Sequence, residues 1–500
     1  MQKTEPKRVF IIGAGLAGRG IANELLAKPV LGITAAFLDD DSTKIGSSYE
    51  GVPVIGPIDA ILKTLRAGAQ DRAIIAMPSA ERSRIQEIYR QLQACGFSSI
   101  HIVPAIAQII EGKVHLVQTR TIDPLDILGR DPAGIRLKKS LDWLRNKRVL
   151  ISGAGGSIGS ELARQLLEAG VQRLYLMGHG ENSIYQIDSE LRRLQAAGVG
   201  ERCAIVPLIG DLKNREWLFF IMQRLKCDAV FHAAAYKHVP MMEANTVAAI
   251  ENNVFGTKNL LDACEAHAVQ RFILISTDKA VDPLCIYGAS KHLSEQLVLD
   301  FQKRQAKAGP ALAAARYCFV RFGNVLGSRG SILPLFMTQV ENGGPLTVTH
   351  PEASRYFMTI PEACSLVLKA GSLASSAPAF LLDMGPPIRI RDLAEQVIRF
   401  SGLEPDKDIA IEYIGLRPGE RLHERLHSDS ERLEPSGSQR INALYTTAGG
   451  IDMPRLLAEL EPVCFLRAGK ESSYRNRRRL RTILRQTIPG IEEKPDEPEY

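Results

Sequence analysis

A chain of 500 residues is long enough for about three domains. Its 45% hydrophobic and 24% charged residues match ordinary globular usage, which excludes a collagen-like chain, wholesale disorder and a disulfide scaffold. The formal net charge of +6 is uneven, because residues 467–485 carry +7 and residues 492–499 carry −4. A basic balance confined to one terminal segment does not make the body a nucleic-acid surface, so no nucleic-acid partner is expected. The eight cysteines are scattered, with no C-x-x-C pair, as in a reducing, cytoplasmic compartment. No run reaches the roughly 18 apolar residues of a spanning helix, and the start, MQKTEPKR, lacks the apolar core of a signal peptide; the chain is expected to be soluble.

In chain order, one grammar occurs twice: an apolar run, a glycine turn, then a helix-like stretch. The first copy is residues 9–12, then Gly13, Gly15 and Gly18, then residues 21–26, with further strand candidates at 34–38 and 73–77. This predicts a small Rossmann-like domain over residues 1–118. A linker over 119–146 follows. The second copy is residues 149–151, then Gly153, Gly155, Gly156 and Gly159, then 161–167, followed by strand candidates at 174–177, 204–208, 229–232, 272–276 and 319–322. Such alternation predicts an α/β chain of two doubly wound parallel-sheet domains. The second covers 147–466 and carries a small substrate lobe mainly over 334–466. Residues 467–500, basic and then acidic, are expected to be partly disordered.

Glycines in such a turn let the backbone approach a pyrophosphate seated at the helix N-terminus. In the second copy Gly153, Gly156 and Gly159 also fit G-x-x-G-x-x-G, the spacing of extended short-chain dehydrogenase/reductases. An acid at the tip of the next strand binds a ribose 2′-hydroxyl, yet that tip reads Met177-Gly178-His179-Gly180-Glu181. With Glu181 displaced from the tip, NAD and NADP both remain open. The first copy has Asp39-Asp40-Asp41 at about the right distance but no Tyr/Lys pair, so it reads equally as a sensing or packing domain.

The stretch Ser276-Thr277-Asp278-Lys279 ends a strand candidate, and Tyr287 and Lys291 follow at i, i+4. On a helix these two share a face, where the ammonium lowers the phenol pKa from about 10. Tyrosinate then takes a hydroxyl proton as hydride leaves the same carbon, with Thr277 bonded to the same oxygen. Asp278 and Lys279 go beyond the needs of an alcohol dehydrogenase. Oxidising carbon 4 of a sugar acidifies the proton on carbon 5, so Lys279 as base and Asp278 as acid can expel water from carbons 5 and 6. Lys291 is expected to help keep Lys279 neutral. A structural salt bridge is the alternative for this pair.

The motifs GAGGSIGSEL (153–162), HAAAYKHVPMME (232–243), NNVFGT (252–257), STDKAVDP (276–283), RFGNVLGSRGSILPLF (321–336), HPEASRYFMTIPEA (350–363), LLDMGPP (381–387) and GLRPGE (415–420) resemble those of CapD-like nucleotide-sugar 4,6-dehydratases of polysaccharide biosynthesis. The resemblance runs through about Tyr445. It implies conversion of a UDP-N-acetylhexosamine, typically UDP-GlcNAc, to its 4-keto-6-deoxy derivative with NAD or NADP recycled in place. Carried over by motif, Thr277, Asp278, Lys279, Tyr287 and Lys291 are catalytic. Gly153, Gly156, Ser157, Ile158, Gly159, Glu181, Asp211, Leu212, Ala233, Ala234, Lys237, Asn253, Tyr287 and Lys291 hold the cofactor, with Asn253 also belonging to the helix behind the catalytic tyrosine. Lys237, His238, Asn324, Arg329, Arg355, Arg417 and Glu420 face the UDP-sugar. Long members of the family begin with membrane helices that this chain lacks at its start, so it is expected to be a soluble or trimmed form. They also often carry Met where this chain has Tyr287, which leaves the outcome at carbon 5 open.

His232 and His238 lack partners at metal-ligand spacing, so no metal is expected. A homo-oligomer is expected. The basic run 475–485 is a candidate for peripheral contact with an anionic membrane face, although a solvated helix is the commoner outcome.

Overall fold

Short apolar runs ended by glycine turns become parallel strands here, and the amphipathic stretches between them cover the sheet faces. The computed structural model describes residues 8–27, 32–68, 71–77, 80, 82–97, 99–102, 120–121, 141–305, 315–373, 377–400, 403–446, 450–494 and 497. They divide into two units, residues 1–130 with 395–409 and residues 131–394 with 410–500.

In the first unit, β1 (Arg8–Ile12), β2 (Ile33–Leu38), β3 (Ser48–Tyr49), β4 (Val52–Ile55), β5 (Arg72–Ile75), β6 (Ser99–Ile102) and β7 (Arg120–Thr121) form one sheet in the order β3-β4-β2-β1-β5-β6-β7. The five inner strands are parallel and the two-residue edge strands antiparallel. Alternate residues of β1 feed two cores. Phe10 and Ile12 pack with Ile88 and Leu92 of helix α3 (Arg82–Ala94), while Val9 and Ile11 pack with Ile21 and Leu25 of helix α1 (Leu16–Ala27). Strand β7 lies inside the segment expected as linker, and residues 103–119 and 122–140 lie outside the described ones.

The three aspartates after β2 serve the unit's own loops. Asp39 Oδ2 accepts from Ala14 N at 2.7 Å and Oδ1 from Asp41 N at 2.9 Å. Asp40 accepts from Ile58 N, at the start of the helix Ile58–Thr64, and pairs with Arg84 at 3.0 Å.

The second unit contains β8 (Arg148–Ser152), β9 (Arg173–Gly178), β10 (Ala204–Ile209), β11 (Ala229–His232), β12 (Arg271–Ile275) and β13 (Arg316–Arg321), parallel in the order β10-β9-β8-β11-β12-β13. That is the doubly wound dinucleotide order, with its switch point between β8 and β11. Ala379–Leu382 extends the sheet in parallel, and Ile441–Thr446 and Glu431–Ser438 close it antiparallel. The stretch expected as a separate lobe is therefore divided. Part returns to the main sheet, and the rest forms small ribbons, such as Ser354–Arg355 with Ile388–Arg389. At the other end Leu141 and Leu144, expected as linker, are buried in this unit's core.

The terminal segment departs furthest from expectation. Arg477–Thr487 is a helix whose Leu480, Ile483 and Leu484, with Ile488 and Ile491 beyond it, are buried in the same core as Ile286 and Leu293. The charge pattern hid this because two of its arginines point inward. Arg477 and Arg481 meet Glu497 at 2.7 and 2.6 Å, and Arg481 and Lys494 meet Glu243 at 2.9 and 2.7 Å. These charges make internal pairs and are not part of an exposed basic face. Among the described residues no helix is long and apolar enough to cross a membrane.

Removing one partner of a buried ion pair leaves the other uncompensated. Arg481→Leu is expected to lower unfolding free energy by about 3–5 kcal/mol, measured by urea denaturation, whereas the exposed Arg478 changed to Leu shifts it little.

Candidate active site

The carboxyl ends of β8, β11, β12 and β13 bring together the residues singled out by motif. After β8 the chain turns at Gly153, where φ is +71° and an added Cβ would lie only 2.7 Å from Ala234 Cα, so no side chain fits. Gly156 caps helix α4 (Ser157–Glu168), so Ser157, Ile158 and Gly159 form its first turn, with the unpaired amides that suit an anion. A Cβ on Gly159 would strike the Gly153 carbonyl, and one on Gly155 would lie 2.6 Å from Ser183 Cβ. The turn is thus bare backbone, a cradle that fits a dinucleotide pyrophosphate. Ala233 N bonds Ser152 O at 3.0 Å, setting Ala233 and Ala234 beside it. Around the rim, Glu181 opens the helix Glu181–Ala196, Asp211 pairs with Lys213 at 3.4 Å, and Leu212 is buried.

Behind this rim runs a chain of buried hydrogen bonds. His232 Nδ1 meets Ser152 Oγ at 2.6 Å and Nε2 meets Thr257 Oγ1 at 2.8 Å. Burial, reinforced by the Lys291 charge, lowers the His232 pKa to about 3. Thr257 donates to Asn253 O at 2.6 Å. The Asn253 amide uses its full bonding capacity: Oδ1 accepts from Tyr236 N and Asn252 Nδ2, and Nδ2 donates to Tyr236 O and Ser290 Oγ, all at 2.9–3.0 Å. Asn253, expected both among the cofactor contacts and with the helix behind Tyr287, ties the loop after β11 to the helix Ile286–Gln305. It does so from a π-helical turn, Glu251–Phe255, a form frequent at functional sites.

That helix carries Tyr287 and Lys291. Burial pushes the Tyr287 phenol up to about 12, against the charge of Lys279 and a hydrogen bond with Thr277. Lys291 Nζ donates to Ile275 O at 2.7 Å, and burial lowers its pKa to about 8 while Glu295 opposes the shift. The charge that acts most strongly on the phenol is therefore that of Lys279, where the i, i+4 spacing had pointed to Lys291.

Lys279 Nζ lies 3.1 Å from Asp278 Oδ1, 3.2 Å from Asn324 Oδ1 and 3.4 Å from Glu424 Oε1. Burial works against its charge, but Asp278 and Glu424 outweigh it and hold the ammonium above the usual lysine value. The expectation of a neutral resting Lys279 fails because these two carboxylates are nearer partners than any cation. Asp278 is fully buried; Oδ1 also accepts from Thr277 Oγ1 at 2.9 Å, and Oδ2 has no hydrogen-bond partner among the described residues.

The remaining residues separate. Lys237 reaches Ser328 Oγ at 3.4 Å, its pKa lowered by burial and by Lys279; His238 lies against Gly330, its pKa lowered by burial and by Lys237. Arg329, expected on the sugar nucleotide, instead bonds the glycine turn, Nη1 to Gly155 O and its backbone N to Ser157 Oγ, both at 3.1 Å. Arg355 turns inward, donating from Nη1 to Ser354 O and Leu422 O with Nε 3.6 Å from Glu424. Arg417 and Glu420 pair at 3.9 Å in a loop whose Gly419 packs against Cys285. Sequence reasoning missed Glu424, although it stands four residues beyond Glu420 on the same motif-bearing stretch.

A doubly wound sheet with a bare glycine turn at its switch point and a buried Tyr-x-x-x-Lys helix after β12 defines an extended short-chain dehydrogenase/reductase. Residues 149–446 match the model of the polysaccharide biosynthesis protein family, and residues 2–104 match a CoA-binding domain. The capsular polysaccharide biosynthesis protein CapD of Staphylococcus aureus is 41% identical over 436 residues, 85% of this chain and 69% of that protein. An inverting UDP-N-acetylglucosamine 4,6-dehydratase of Campylobacter jejuni is 33% identical over 288 residues, 57% of this chain and 78% of that one. Among solved structures, Pen from Bacillus thuringiensis is 31% identical with a TM-score of 0.54, covering 61% of this chain and 89% of that one. The chain belongs to the polysaccharide biosynthesis protein family, within the CapD-like nucleotide-sugar enzymes of the superfamily.

The His232 shift fixes a pH dependence. Its folded pKa of about 3 lies below the unfolded value of about 6.5, so between these limits the unfolded chain binds a proton that the folded one refuses. Stability from this group is complete above pH 6.5 and falls by about 1.4 kcal/mol per pH unit on acidification. Urea unfolding from pH 7 to 4 is expected to show a shallower acid dependence in His232→Gln than in the wild type.

Proposed function

We propose that this enzyme dehydrates a UDP-N-acetylhexosamine, with UDP-GlcNAc as substrate, to the 4-keto-6-deoxy sugar nucleotide for surface polysaccharide or glycan biosynthesis. The observation that carries the reading is the Asp278–Lys279 pair, 3.1 Å apart at the end of β12 and electrostatically coupled to Tyr287. An epimerase needs the tyrosine but no such pair. The similarity to a UDP-N-acetylglucosamine 4,6-dehydratase supports UDP-GlcNAc as the substrate, and the choice against epimerisation rests on the pair.

The cradle formed by Gly153, Gly156, Ser157, Ile158 and Gly159, with Glu181, Asp211, Leu212, Ala233, Ala234 and Lys237 around it, fits NAD or NADP. A nicotinamide held there would supply the hydride acceptor for sugar carbon 4 and the hydride donor for carbon 6. Tyr287 Oη, once ionised with the help of Thr277 and the positive charge of Lys279, which oppose the effect of burial, takes the proton of the 4-hydroxyl, and Lys291 supports the ribose. Transfer of one proton from Lys279 Nζ to Asp278 then turns the resting ion pair into a neutral amine and a carboxylic acid. The amine removes the carbon-5 proton, and Asp278 protonates the leaving 6-hydroxyl, which departs as water. This step restores the ion pair, and as hydride returns to carbon 6 a proton drawn in net from the Tyr287 phenol completes carbon 5 and returns Tyr287 to its starting state. The reach of the elimination step is supported by the Oδ2 atom of Asp278, buried without a partner among the described residues. Lys237, His238, Asn324, Arg417 and Glu420 are the side chains that meet the sugar nucleotide.

Incubation with UDP-GlcNAc is expected to give a product lighter by one water, with a new methyl signal in the proton spectrum and deuterium from carbon 4 recovered in that methyl. A product of unchanged mass would replace this reading with epimerisation. Lys279→Ala is expected to cut elimination by about 10²–10⁴-fold while cofactor still copurifies, and Tyr287→Phe to stop the first hydride transfer, read as loss of cofactor reduction in a single turnover.

A further inference from the structure

Glu424 is half-buried as a residue but its side chain is only 6% exposed, and its Oε1 stands 3.4 Å from Lys279 Nζ and 3.6 Å from Arg355 Nε. The placement is held from two sides. Towards the catalytic loop, Arg421 donates to Asp282 O and Arg425 meets Asp282 Oδ2 at 3.0 Å, three residues beyond Lys279. Towards the ribbon at Ser354–Arg355, Leu422 O accepts from Ser354 N and Arg355 Nη1, both at 3.0 Å, and His423 Nδ1 meets Ser354 Oγ at 2.8 Å. Residues 421–425 thus stitch the loop bearing Asp278 and Lys279 to the substrate side of the unit, and Glu424 is the member of the stitch that reaches the reacting amine.

An ammonium group has three protons to donate, and Lys279 has three acceptors around it: Asp278 Oδ1, Asn324 Oδ1 and Glu424 Oε1. Asp278 and Asn324 come from the ends of neighbouring strands, so the carboxylate of Glu424 is what fixes the third direction of the amine. We propose that Glu424 is a positioning residue for the elimination, holding Lys279 Nζ in line with Asp278 and governing how readily the amine releases its proton to Asp278. The inference rests on the dehydratase reading given above. The charged and titratable groups facing Lys279 are Asp278 on its own loop, Tyr287 on the helix Ile286–Gln305, Lys237 after β11, Arg355 on its ribbon, and Glu424. Glu424 is, with Asp278, one of two negative charges that keep the amine protonated. Removing it leaves the cations Arg355 and Lys237 less opposed, so Lys279 deprotonates at lower pH.

The test compares wild type, Glu424→Gln and Glu424→Asp. For Glu424→Gln the expected result is a fall in plateau kcat for UDP-GlcNAc dehydration of about tenfold or more, by analogy with other acid–base losses. KM should stay within a factor of about three, the order of effect left when no substrate contact is lost. The acid limb of the kcat–pH profile is expected to move to lower pH, and Glu424→Asp is expected to recover part of both effects. A second readout needs no turnover: the pH dependence of Lys279 acetylation by acetic anhydride, followed by peptide mass spectrometry, is expected to shift to lower pH in Glu424→Gln. A wild-type-like kcat, pH limb and acetylation profile in Glu424→Gln would overturn the inference. So would a raised KM with unchanged kcat and pH limb, which would assign Glu424 to substrate binding through Arg355. Failure of the dehydratase reading itself shows separately, as a wild type that yields no dehydrated product, and the acetylation comparison still decides whether Glu424 controls Lys279.

Discussion

The constraint on which the catalytic unit depends is the burial of a polar helix stripe. On Ile286–Gln305 the residues Tyr287, Ser290, Lys291, Ser294 and Glu295 fall at spacings of three and one, which puts them along one face, and all five are buried. Buried polar groups without partners are strongly destabilising, so each has one. Ser290 bonds Asn253, Ser294 bonds Asn253 O, Lys291 bonds Ile275 O, and Glu295 accepts from Ser276 Oγ and forms a fork with Arg321. Ahead of the stripe, Glu243 accepts from Ile286 N at 2.8 Å. These partners come from the strands and loops around the helix, so the geometry that delivers Tyr287 is also what anchors the helix.

The same logic governs the acid–base cluster. Asp278, Lys279, Arg355 and Glu424 bring two negative and two positive charges into one buried patch, so none is left uncompensated and the patch is preorganised. Preorganisation has a chemical consequence: the lysine is charged at rest, and in the dehydratase reading proposed above the elimination begins with a proton moving inside the Asp278–Lys279 pair. Fixed neighbours, and not the intrinsic basicity of the amine, then decide how easily that happens.

Two segments outside the chemistry show how charge patterns acquire meaning only through partners. In the first unit the aspartate run after β2 matches the place of a ribose-binding acid, yet Asp39 caps its own glycine turn at Ala14 N and Asp40 serves the start of the next helix. In the terminal segment a run of arginines reads as a solvated tail, yet Arg477 and Arg481 reach inward to Glu497 and Glu243. Because Glu243 also holds Ile286 N, the end of the chain is connected by direct bonds to the start of the helix that bears Tyr287.

The sequence by itself determined the two parallel-sheet units, the glycine turns and the Thr277, Asp278, Lys279, Tyr287 and Lys291 set. Strand alternation, turn glycines and i, i+4 pairs are local signals written in consecutive residues. What only the tertiary structure decided were relations between residues far apart in the chain: that Glu424 sits on Lys279, that the Asn253 amide is shared between Tyr236 and Ser290, that Arg329 bonds the glycine turn, and that Lys279 is charged at rest. Burial and electrostatic partnership depend on distance in space, and a one-dimensional pattern carries no record of which distant side chain fills a buried hydrogen bond.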